Sequence, residues 1–261
     1  MKRLRHFTGG RIIPPVSDER VVVVGDAHLG YAGSGDEEAF QEFLEAVPSL
    51  GTRLLVTGDL FDFWFEYRSV IPRRPFRTLA RLAALKDRGV AIEVFGGNHD
   101  RWGGDFWEKD LGIPFHREGV DLALAGRKAW VHHGDGLVEQ KLGGKIIHRV
   151  TRNPLTIMVF SLLHPTAGFW LADRLSGALS EGTKTGAVLD AAAEAQQRFA
   201  RSVLAGRPEL QLVLLAHTHR QRLVEMEPGR FYLNAGQWVR DRQYAIITPQ
   251  EIRTLTWPAQ P

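Results

Sequence analysis

Val21-Val22-Val23-Val24-Gly25-Asp26-Ala27-His28 is the most informative segment of this 261-residue chain. Four consecutive β-branched residues are typical of a strand that is buried on both faces. Arg53-Leu-Leu-Val-Thr57, Ala91-Ile-Glu-Val-Phe95 and Gln211-Leu-Val-Leu-Leu-Ala216 repeat the pattern, and polar clusters follow them. In α/β sheets, sites form beyond the carboxyl ends of strands. We therefore expect the polar clusters to converge at one edge of a sheet.

Helical patterns separate these predicted strands. Apolar residues recur at helical spacing from Phe40 to Val47, and a second helix is predicted over about Pro75 to Arg88. The early chain is therefore predicted to be βαβαβ, within an α/β fold. Farther along, Asp121 to Val131 and Arg230 to Thr248 are predicted to form hairpin strands, in a mixed sheet or a two-sheet sandwich.

Composition limits the class of protein. Hydrophobic residues make up 44% of the chain, which is enough to bury one sizeable core. The polar clusters run from position 26 to position 219, so a single domain over residues 1–261 is expected. Cysteine is absent, which excludes disulfides, thiolate metal sites and thiol nucleophiles. The net charge of +3 mildly favours anionic partners, but no stripe typical of nucleic-acid binding is evident.

The start of the chain and its apolar segments bear on the location of the protein in the cell. The basic start Met1-Lys-Arg-Leu-Arg5 is not followed by an apolar region, so we predict no signal peptide and a cytoplasmic location. The longest apolar stretch, Leu155 to Leu163, is far shorter than the ~20 residues that span a bilayer.

Five short clusters carry the chemistry of the chain. They are Asp26-Ala-His28, Gly58-Asp-Leu-Phe-Asp62, Gly97-Asn-His-Asp100, His133-Gly-Asp135 and His217-Thr-His219. Carboxylate, amide and imidazole ligands without thiolates suit Mn, Fe or Zn. Two ions ~3.5–4 Å apart can clamp a phosphoryl group. The clusters therefore predict a dinuclear phosphoesterase with two divalent metal ions.

The spacing within the clusters indicates roles for their residues. Asp26 and His28 can chelate one ion, although Asp-x-His is a common pattern that also occurs in purely structural roles. Asp59 is a candidate bridging carboxylate, because it has two oxygens. Asp62, one helical turn later, is expected to accept a hydrogen bond rather than to bind metal.

The later clusters supply further candidates. Asn98 can offer an amide oxygen to a metal, while His99 turns towards the substrate and Asp100 orients it; we take His99 and Asp100 as the catalytic candidates. His133 is a plausible imidazole ligand. His217-Thr218-His219 places two imidazoles on one side of an extended segment, so that each can serve a different ion.

In this order, the five clusters resemble the calcineurin-like metallophosphoesterase superfamily over about four-fifths of the chain. The resemblance implies an αββα sandwich of two mixed β-sheets flanked by helices. It also implies a bridging hydroxide that attacks phosphorus, and two metal sites with these ligands: Asp26, His28, Asp59 and His219 for one ion, and Asp59, Asn98, His133 and His217 for the other.

A narrower resemblance rests on Gly58-Asp-Leu-Phe-Asp-Phe-Trp64, Gly97-Asn-His-Asp-Arg-Trp102, His133-Gly-Asp-Gly136 and Ala216-His-Thr-His-Arg220. These motifs are similar to those of UDP-2,3-diacylglucosamine diphosphatases of lipid A synthesis. That family cleaves its nucleotide-activated lipid to UMP and 2,3-diacylglucosamine 1-phosphate at the inner face of the cytoplasmic membrane, typically with Mn. Some members carry glutamate at the position of Asp62, which leaves the exact substrate open.

Residues from about 137 to 186 are predicted to form an inserted helical cap. This segment is basic and aromatic, and Pro154 and Pro165 interrupt it. Its apolar residues line an acyl groove or touch lipid, or they bury one another in a helix pair. Arg101 is a candidate clamp for the diphosphate, because guanidinium binds phosphate bidentately; a surface role is equally open. The candidate substrate contacts are Trp64, Tyr67, Arg101, Arg149, Arg152, Phe160 and Leu163. For Trp64 and Tyr67, packing under the cap is the favoured alternative.

Two other functions are compatible with the same clusters. One is a metallophosphoesterase that acts on another phosphodiester or on a phosphomonoester. The other is a non-catalytic interaction module with this fold, although such a module has no need for His99 beside seven plausible ligands. The oligomeric state is left open.

Overall fold

The computed structural model describes residues 18–30, 34–67, 69–138, 149, 152–180 and 186–258. Within these ranges the chain forms strands and helices in a largely alternating order. The strands are β1 (Val21–Val24), β2 (Arg53–Val56), β3 (Ala91–Phe95), β4 (Phe115–His116), β5 (Val120–Leu124), β6 (Arg127–Val131), β7 (Leu212–Leu215), β8 (Arg222–Glu227), β9 (Arg230–Asn234), β10 (Gln243–Ile247) and β11 (Ile252–Thr256). The helices are α1 (Ser34–Leu50), α2 (Phe76–Asp87), α3 (Phe106–Lys109), α4 (Pro154–Ser161), α5 (Pro165–Ser180) and α6 (Gly186–Gly206).

The strands form two mixed sheets. The first has the order β11-β10-β1-β2-β3-β4, and β1 to β4 run parallel to one another. The second has the order β5-β6-β7-β9-β8, in which β6, β7 and β9 are parallel. The parallel strands of each sheet end at the same edge, so the loops that follow them are neighbours.

Alternation along the strands builds four layers. In β1, Val21 and Val23 pack between the two sheets, whereas Val22 and Val24 pack on the side of α1 and α2. In β7, Leu212 and Leu214 face the first sheet, while Val213 and Leu215 pack with buried residues of α6. Since both faces of these strands are buried, continuous apolar runs replace the alternating pattern of a half-exposed strand. The predicted αββα sandwich is confirmed.

One part of the strand prediction is wrong. The segment Arg230 to Thr248 does not form a hairpin, because β9 belongs to the second sheet and β10 to the first. β9 pairs instead with the preceding β8, and β10 pairs with the following β11. Both segments have the composition of strands, but only packing decides which sheet each one joins.

Helices α4 and α5 lie inside the segment predicted as a cap. Each begins at a proline, and Asn153 caps α4 by accepting a hydrogen bond from Leu155 N at 2.9 Å. Proline is well tolerated at the first helical position, so these residues start helices rather than break them. Residues 139–148, 150–151 and 181–185 of the predicted cap lie outside the described residues. Among the helices that are described, none is long and apolar enough to span a membrane.

Candidate metal centre

The loops after β1, β2, β3, β6 and β7 bring acidic and imidazole side chains together at one edge of the sandwich. Among the described residues, three groups have ligand atoms that all lie within 4.8 Å of one another. Asp59 belongs to two groups and His28 to two, so the groups form one continuous cluster. The groups are Asp26, His28 and His219; His28, Asp59 and His99; and Asp59, His133 and His217.

The backbone of these loops is strained at several of the candidate ligands. A positive φ is uncommon for residues other than glycine, although Asp and His tolerate it better than most. Such conformations cluster at functional sites, where the surrounding structure enforces them. Here they occur at Asp26 (48°), His28 (44°), Asp59 (50°), His217 (74°) and His219 (57°).

His133 presents its Nε2 atom to the cluster. Its Nδ1 lies 2.9 Å from the carbonyl oxygen of Thr57 and therefore carries the hydrogen that it donates there. Its Nε2 is buried without a hydrogen-bond partner among the described residues and lies 3.3 Å from Asp59 Oδ2. A metal ion would satisfy this nitrogen, because ligating histidines typically donate their other N–H to a carbonyl or carboxylate.

Asp26 and Asp59 are oriented in a similar way. Asp26 Oδ2 accepts a hydrogen bond from His217 N at 3.0 Å, which leaves the buried Oδ1 facing His219 Nε2 at 3.3 Å. Asp59 Oδ1 accepts from His99 N at 2.8 Å, while Oδ2 lies 3.9 Å from His28 Nε2. In each carboxylate, one oxygen is held by the backbone and the other faces the imidazoles.

Gly97 allows the Asp59 carboxylate to approach the next loop. A Cβ atom at position 97 would lie 2.1 Å from Asp59 Oδ1 and 2.6 Å from the backbone nitrogen of Asp59, which is closer than a Cβ atom normally approaches a backbone atom. The glycine in Gly97-Asn98-His99-Asp100 is therefore required by the close contact between the loops after β2 and β3.

Burial and neighbouring charges give the imidazoles of the cluster different pKa values. Burial, with help from neighbouring imidazoles, lowers the pKa of His28 to about 3 and that of His217 to about 4. For His133, burial acts in the same direction, but the Asp59, Asp26 and Asp135 carboxylates outweigh it and raise the pKa to about 10. In the metal-free protein, His133 thus holds a proton where a cation would bind.

His99 is oriented by Asp62 and not by Asp100, contrary to expectation. His99 Nδ1 lies 2.6 Å from the carbonyl oxygen of Asp62 and 3.6 Å from its Oδ1. The Asp100 carboxylate instead accepts backbone hydrogen bonds from Gly97 at 2.7 Å, Leu60 at 2.7 Å and Asp59 at 3.2 Å. Asp100 therefore ties together the loops after β2 and β3.

Two candidate substrate contacts are buried by the fold. Trp64 is 1% exposed and packs against Phe61 and Trp107 in the core, so it does not line the cleft. Arg101 is 9% exposed, and its guanidinium donates to the Arg117 carbonyl at 2.6 Å and to Glu118. The Arg101 side chain is already engaged, so the expected diphosphate clamp is not supported.

Some of the candidate substrate contacts in and near the cap pack against the domain, whereas others are exposed. The Phe160 ring packs on Phe63, Phe65 and Trp102, so this residue joins α4 to the domain and is 8% exposed. Tyr67 and Leu163 are partly buried beside it. Arg149 is exposed, and so is Asn98 beside the cluster. Arg152 donates to Asp135 Oδ2 at 2.9 Å and so links the cap to the His133 loop.

Gln196 has a place at the centre that the sequence analysis missed. It lies on the buried face of α6 with Ala193 and Ala200, and it is 0% exposed. A polar residue inside the apolar stripe of an amphipathic helix was the signal that could have identified it.

Residues 19–221 match the protein family described as Calcineurin-like phosphoesterase. This match covers more than half of the chain and contains every candidate ligand. The chain therefore belongs to the calcineurin-like phosphoesterase family, and it is a metal-dependent hydrolase.

Individual proteins similar to this chain include two hydrolases and one solved structure. A UDP-2,3-diacylglucosamine hydrolase of Porphyromonas gingivalis is 32% identical over 247 residues, which cover 87% of this chain and 93% of that protein. A protein of the same name from Actinobacillus succinogenes is 25% identical and covers 88% of this chain and 96% of its own length. Among solved structures, the E. coli phosphoesterase YfcE has a TM-score of 0.42 at 14% identity, covering 91% of this chain and 92% of that one. A superposition at that TM-score is too distant to bear on function.

Proposed function

We propose that this protein hydrolyses the diphosphate of UDP-2,3-diacylglucosamine to UMP and 2,3-diacylglucosamine 1-phosphate. The observation that carries the proposal is a cluster of buried carboxylates and imidazoles suited to two ions, in a chain 32% identical to a hydrolase named for that substrate. Either phosphorus of the diphosphate has a phosphate monoester as its leaving group, with a second pKa of ~6, so strong general-acid help is unnecessary.

The ligands divide between two divalent ions, with Mn as the proposed metal. Asp59 would contribute to both ions, and its Oδ2 is the oxygen that the backbone leaves available, because Oδ1 accepts a hydrogen bond from His99 N. When bound, the ions would activate water and neutralise charge on the phosphoryl group. The proposed ligands of one ion are Asp26, His28, Asp59 and His219, and those of the other are Asp59, Asn98, His133 and His217.

His99 is proposed to contact the substrate. Its Nδ1 donates to the Asp62 carbonyl, so its Nε2 is the nitrogen left to face the phosphoryl group. In the doubly protonated form, this nitrogen donates a hydrogen bond to a phosphoryl oxygen and stabilises the charge that develops there.

An apolar cavity beside the centre supports a lipid-bearing substrate. It has a volume of about 300 Å³ and lies between the loop after β2 and helix α5. Asp62, Arg73 and Arg74 are the charged residues of its lining, while the remaining wall is mostly apolar. Its apolar lining residues include Leu29, Phe61, Phe63, Ile71 and Phe169.

The surface of α4 supports peripheral association with the inner face of the cytoplasmic membrane. Four apolar residues of this region are more than half exposed: Leu155, Met158, Val159 and Leu162. Arg149 and Arg152 precede them on the chain, and basic residues beside apolar ones favour an anionic lipid surface.

The test is turnover of UDP-2,3-diacylglucosamine by the purified protein with Mn, with the products identified by mass spectrometry. The panel includes UDP-N-acetylglucosamine, which lacks the acyl chains, and a small chromogenic phosphodiester. Asp59→Ala serves as the inactive control. We expect UMP and the diacyl sugar phosphate to form, with the diacylated nucleotide strongly preferred.

Two results would replace this proposal. Turnover of the chromogenic diester without turnover of the lipid nucleotide would indicate a phosphodiesterase with another substrate. Metal binding without turnover of any compound would favour the non-catalytic interaction module.

A further inference from the structure

Gln196 joins the two loops that supply the histidines grouped with Asp59. Its Nε2 donates to the carbonyl oxygen of Ala216 at 2.9 Å, directly before His217. The same nitrogen lies against Gly134, directly after His133, where a Cβ atom would approach it to 2.4 Å. One buried amide thus touches the neighbours of both histidines.

The other end of the Gln196 amide is held equally firmly. Its Oε1 accepts hydrogen bonds from Tyr232 Oη at 2.8 Å, Asn234 Nδ2 at 3.1 Å and Thr218 Oγ1 at 3.4 Å. Asn234 Nδ2 also donates to Thr218 Oγ1 at 3.0 Å. These four side chains are at most 2% exposed, so water does not replace a lost partner without rearrangement.

The strained backbone near this network requires such support. His217 and His219 have φ angles of 74° and 57°, and Thr218 lies between them. A strained conformation persists only where its surroundings enforce it. The two loops also share a direct bond from Ala216 N to His133 O at 2.7 Å.

We infer that Gln196 is a positioning residue that sets the relative placement of His133 and His217, and hence the affinity of the ion they share with Asp59. The rings of these histidines lie 5.2 Å apart and nearly perpendicular, at 70°. Within the described part of the chain, the group of Asp26, His28 and His219 is connected to this network through the backbone of residues 217–219. Loss of Gln196 therefore affects one ion more than the other. The inference rests on the metal centre and is independent of the substrate.

The experiment compares Gln196→Met with the unmodified chain in metal titrations followed by calorimetry. Gln196→Met removes the hydrogen bonds that the Gln196 side chain makes, but it nearly preserves the volume of that side chain. Removal of a group that orients metal ligands typically weakens metal affinity ~10- to 100-fold. We expect such a loss for one ion and little change for the other. The d–d absorption of the Co²⁺-loaded variant should change as well, because the imidazole placement changes.

Leu204→Ala is the matched control. Leu204 lies on the same helix, is 1% exposed, and packs with Ala200, Val213 and Leu215. This substitution should lower the melting temperature while leaving both affinities and the Co²⁺ spectrum unchanged.

A Gln196→Met protein that binds both ions normally, with the unmodified Co²⁺ spectrum and only a lower melting temperature, would overturn the inference. If that variant does not fold, Tyr232→Phe provides the test instead, because it removes the hydroxyl group that donates a hydrogen bond to Gln196 Oε1. A loss of affinity of about threefold or more at one ion would support the inference, and unchanged affinities would contradict it. If the unmodified chain itself binds no metal, the inference fails together with the metal centre.

Discussion

At the candidate metal centre, backbone carbonyls orient two of the imidazole rings, those of His133 and His99. His133 donates Nδ1–H to the Thr57 carbonyl and presents Nε2, while the Asp62 carbonyl holds His99 in the same way. Residues 57 and 62 flank Asp59 on the loop after β2, so one loop orients both rings and carries the shared carboxylate. Side-chain chemistry at the centre therefore depends on backbone carbonyls.

His99→Ala should keep both ions and lose turnover. We expect kcat to fall by ~10²–10³, the usual result of removing one donor that stabilises charge in the transition state. Metal content measured by mass spectrometry and steady-state kinetics on the same preparation separate the two effects. Loss of one ion from this variant would instead assign His99 as a ligand, as the group of His28, Asp59 and His99 allows.

Metal binding at pH 7 should release about one proton from His133. The neighbouring carboxylates outweigh burial and raise the pKa of His133 to about 10, so the metal-free ring is protonated at pH 7. An arriving ion must displace this proton, and its affinity should rise with pH until about pH 10. His28 and His217, with pKa values lowered to about 3 and 4, are already neutral and release none.

Titration calorimetry in two buffers of different ionisation enthalpy measures this release. The difference between the two apparent enthalpies, divided by the difference between the ionisation enthalpies of the two buffers, gives the number of protons released. A value near zero, with full metal occupancy, would show that His133 binds in a form already neutral at pH 7.

At the scale of elements, the parallel strands bring the candidate ligands together, and α4 packs on the domain through Phe160. The register of β1 with β2 aligns Val24 with Val56, so Asp26 and Asp59 follow at the same sheet edge. The Asp26 and His28 amides then donate to the carbonyls of Gly58 and Asp59 at 3.0 Å. Helix α4 is anchored through Phe160, while most of its other apolar residues stay exposed.

Leu162→Glu should weaken binding to anionic phospholipid vesicles. Leu162 follows α4 and is 80% exposed, so a carboxylate there costs little folding stability but opposes contact with an anionic, apolar surface. Co-sedimentation with phosphatidylglycerol vesicles measures the effect, and we expect at least a fivefold loss. Leu223→Glu is the control, because Leu223 is an exposed apolar residue on β8, outside the cap. Equal losses in both variants would remove α4 from the membrane contact.

At the scale of the whole molecule, the centre lies across both sheets. Asp26, His28 and Asp59 follow strands of the first sheet, whereas His133, His217 and His219 follow strands of the second. Each ion would therefore cross-link the two halves of the sandwich. Metal binding to the folded state alone raises the free energy of unfolding by mass action.

Chelation should consequently lower the melting temperature of the intact protein. An ion present at 100 times its Kd contributes about 2.7 kcal/mol, which corresponds to roughly 5–10 °C for a domain of this size. Differential scanning calorimetry with and without EDTA measures the change, and added Mn should restore the original value. Asp59→Ala should respond far less to EDTA. An unmodified chain whose melting temperature is insensitive to chelation would contradict cross-linking by metal.

Much of this protein follows from local sequence alone. The strands β1, β2, β3 and β7, the helices α1 and α2, and the order of the five clusters are encoded in short periodic patterns. A strand buried on both faces requires an uninterrupted apolar run, and a loop that binds metal requires oxygen and imidazole donors. These requirements are met within a few residues, so they are visible without knowledge of the distant chain.

Tertiary structure alone decided the rest, because it depends on contacts between residues far apart in sequence. It assigned β9 and β10 to different sheets and buried Trp64 and Arg101. It also oriented His99 through Asp62 rather than through Asp100. It placed Gln196 between the loops of His133 and His217, and it imposed positive φ angles on five ligand candidates. Side-chain type determines what a residue is able to bind, whereas packing determines which partners are within reach and which atoms remain available.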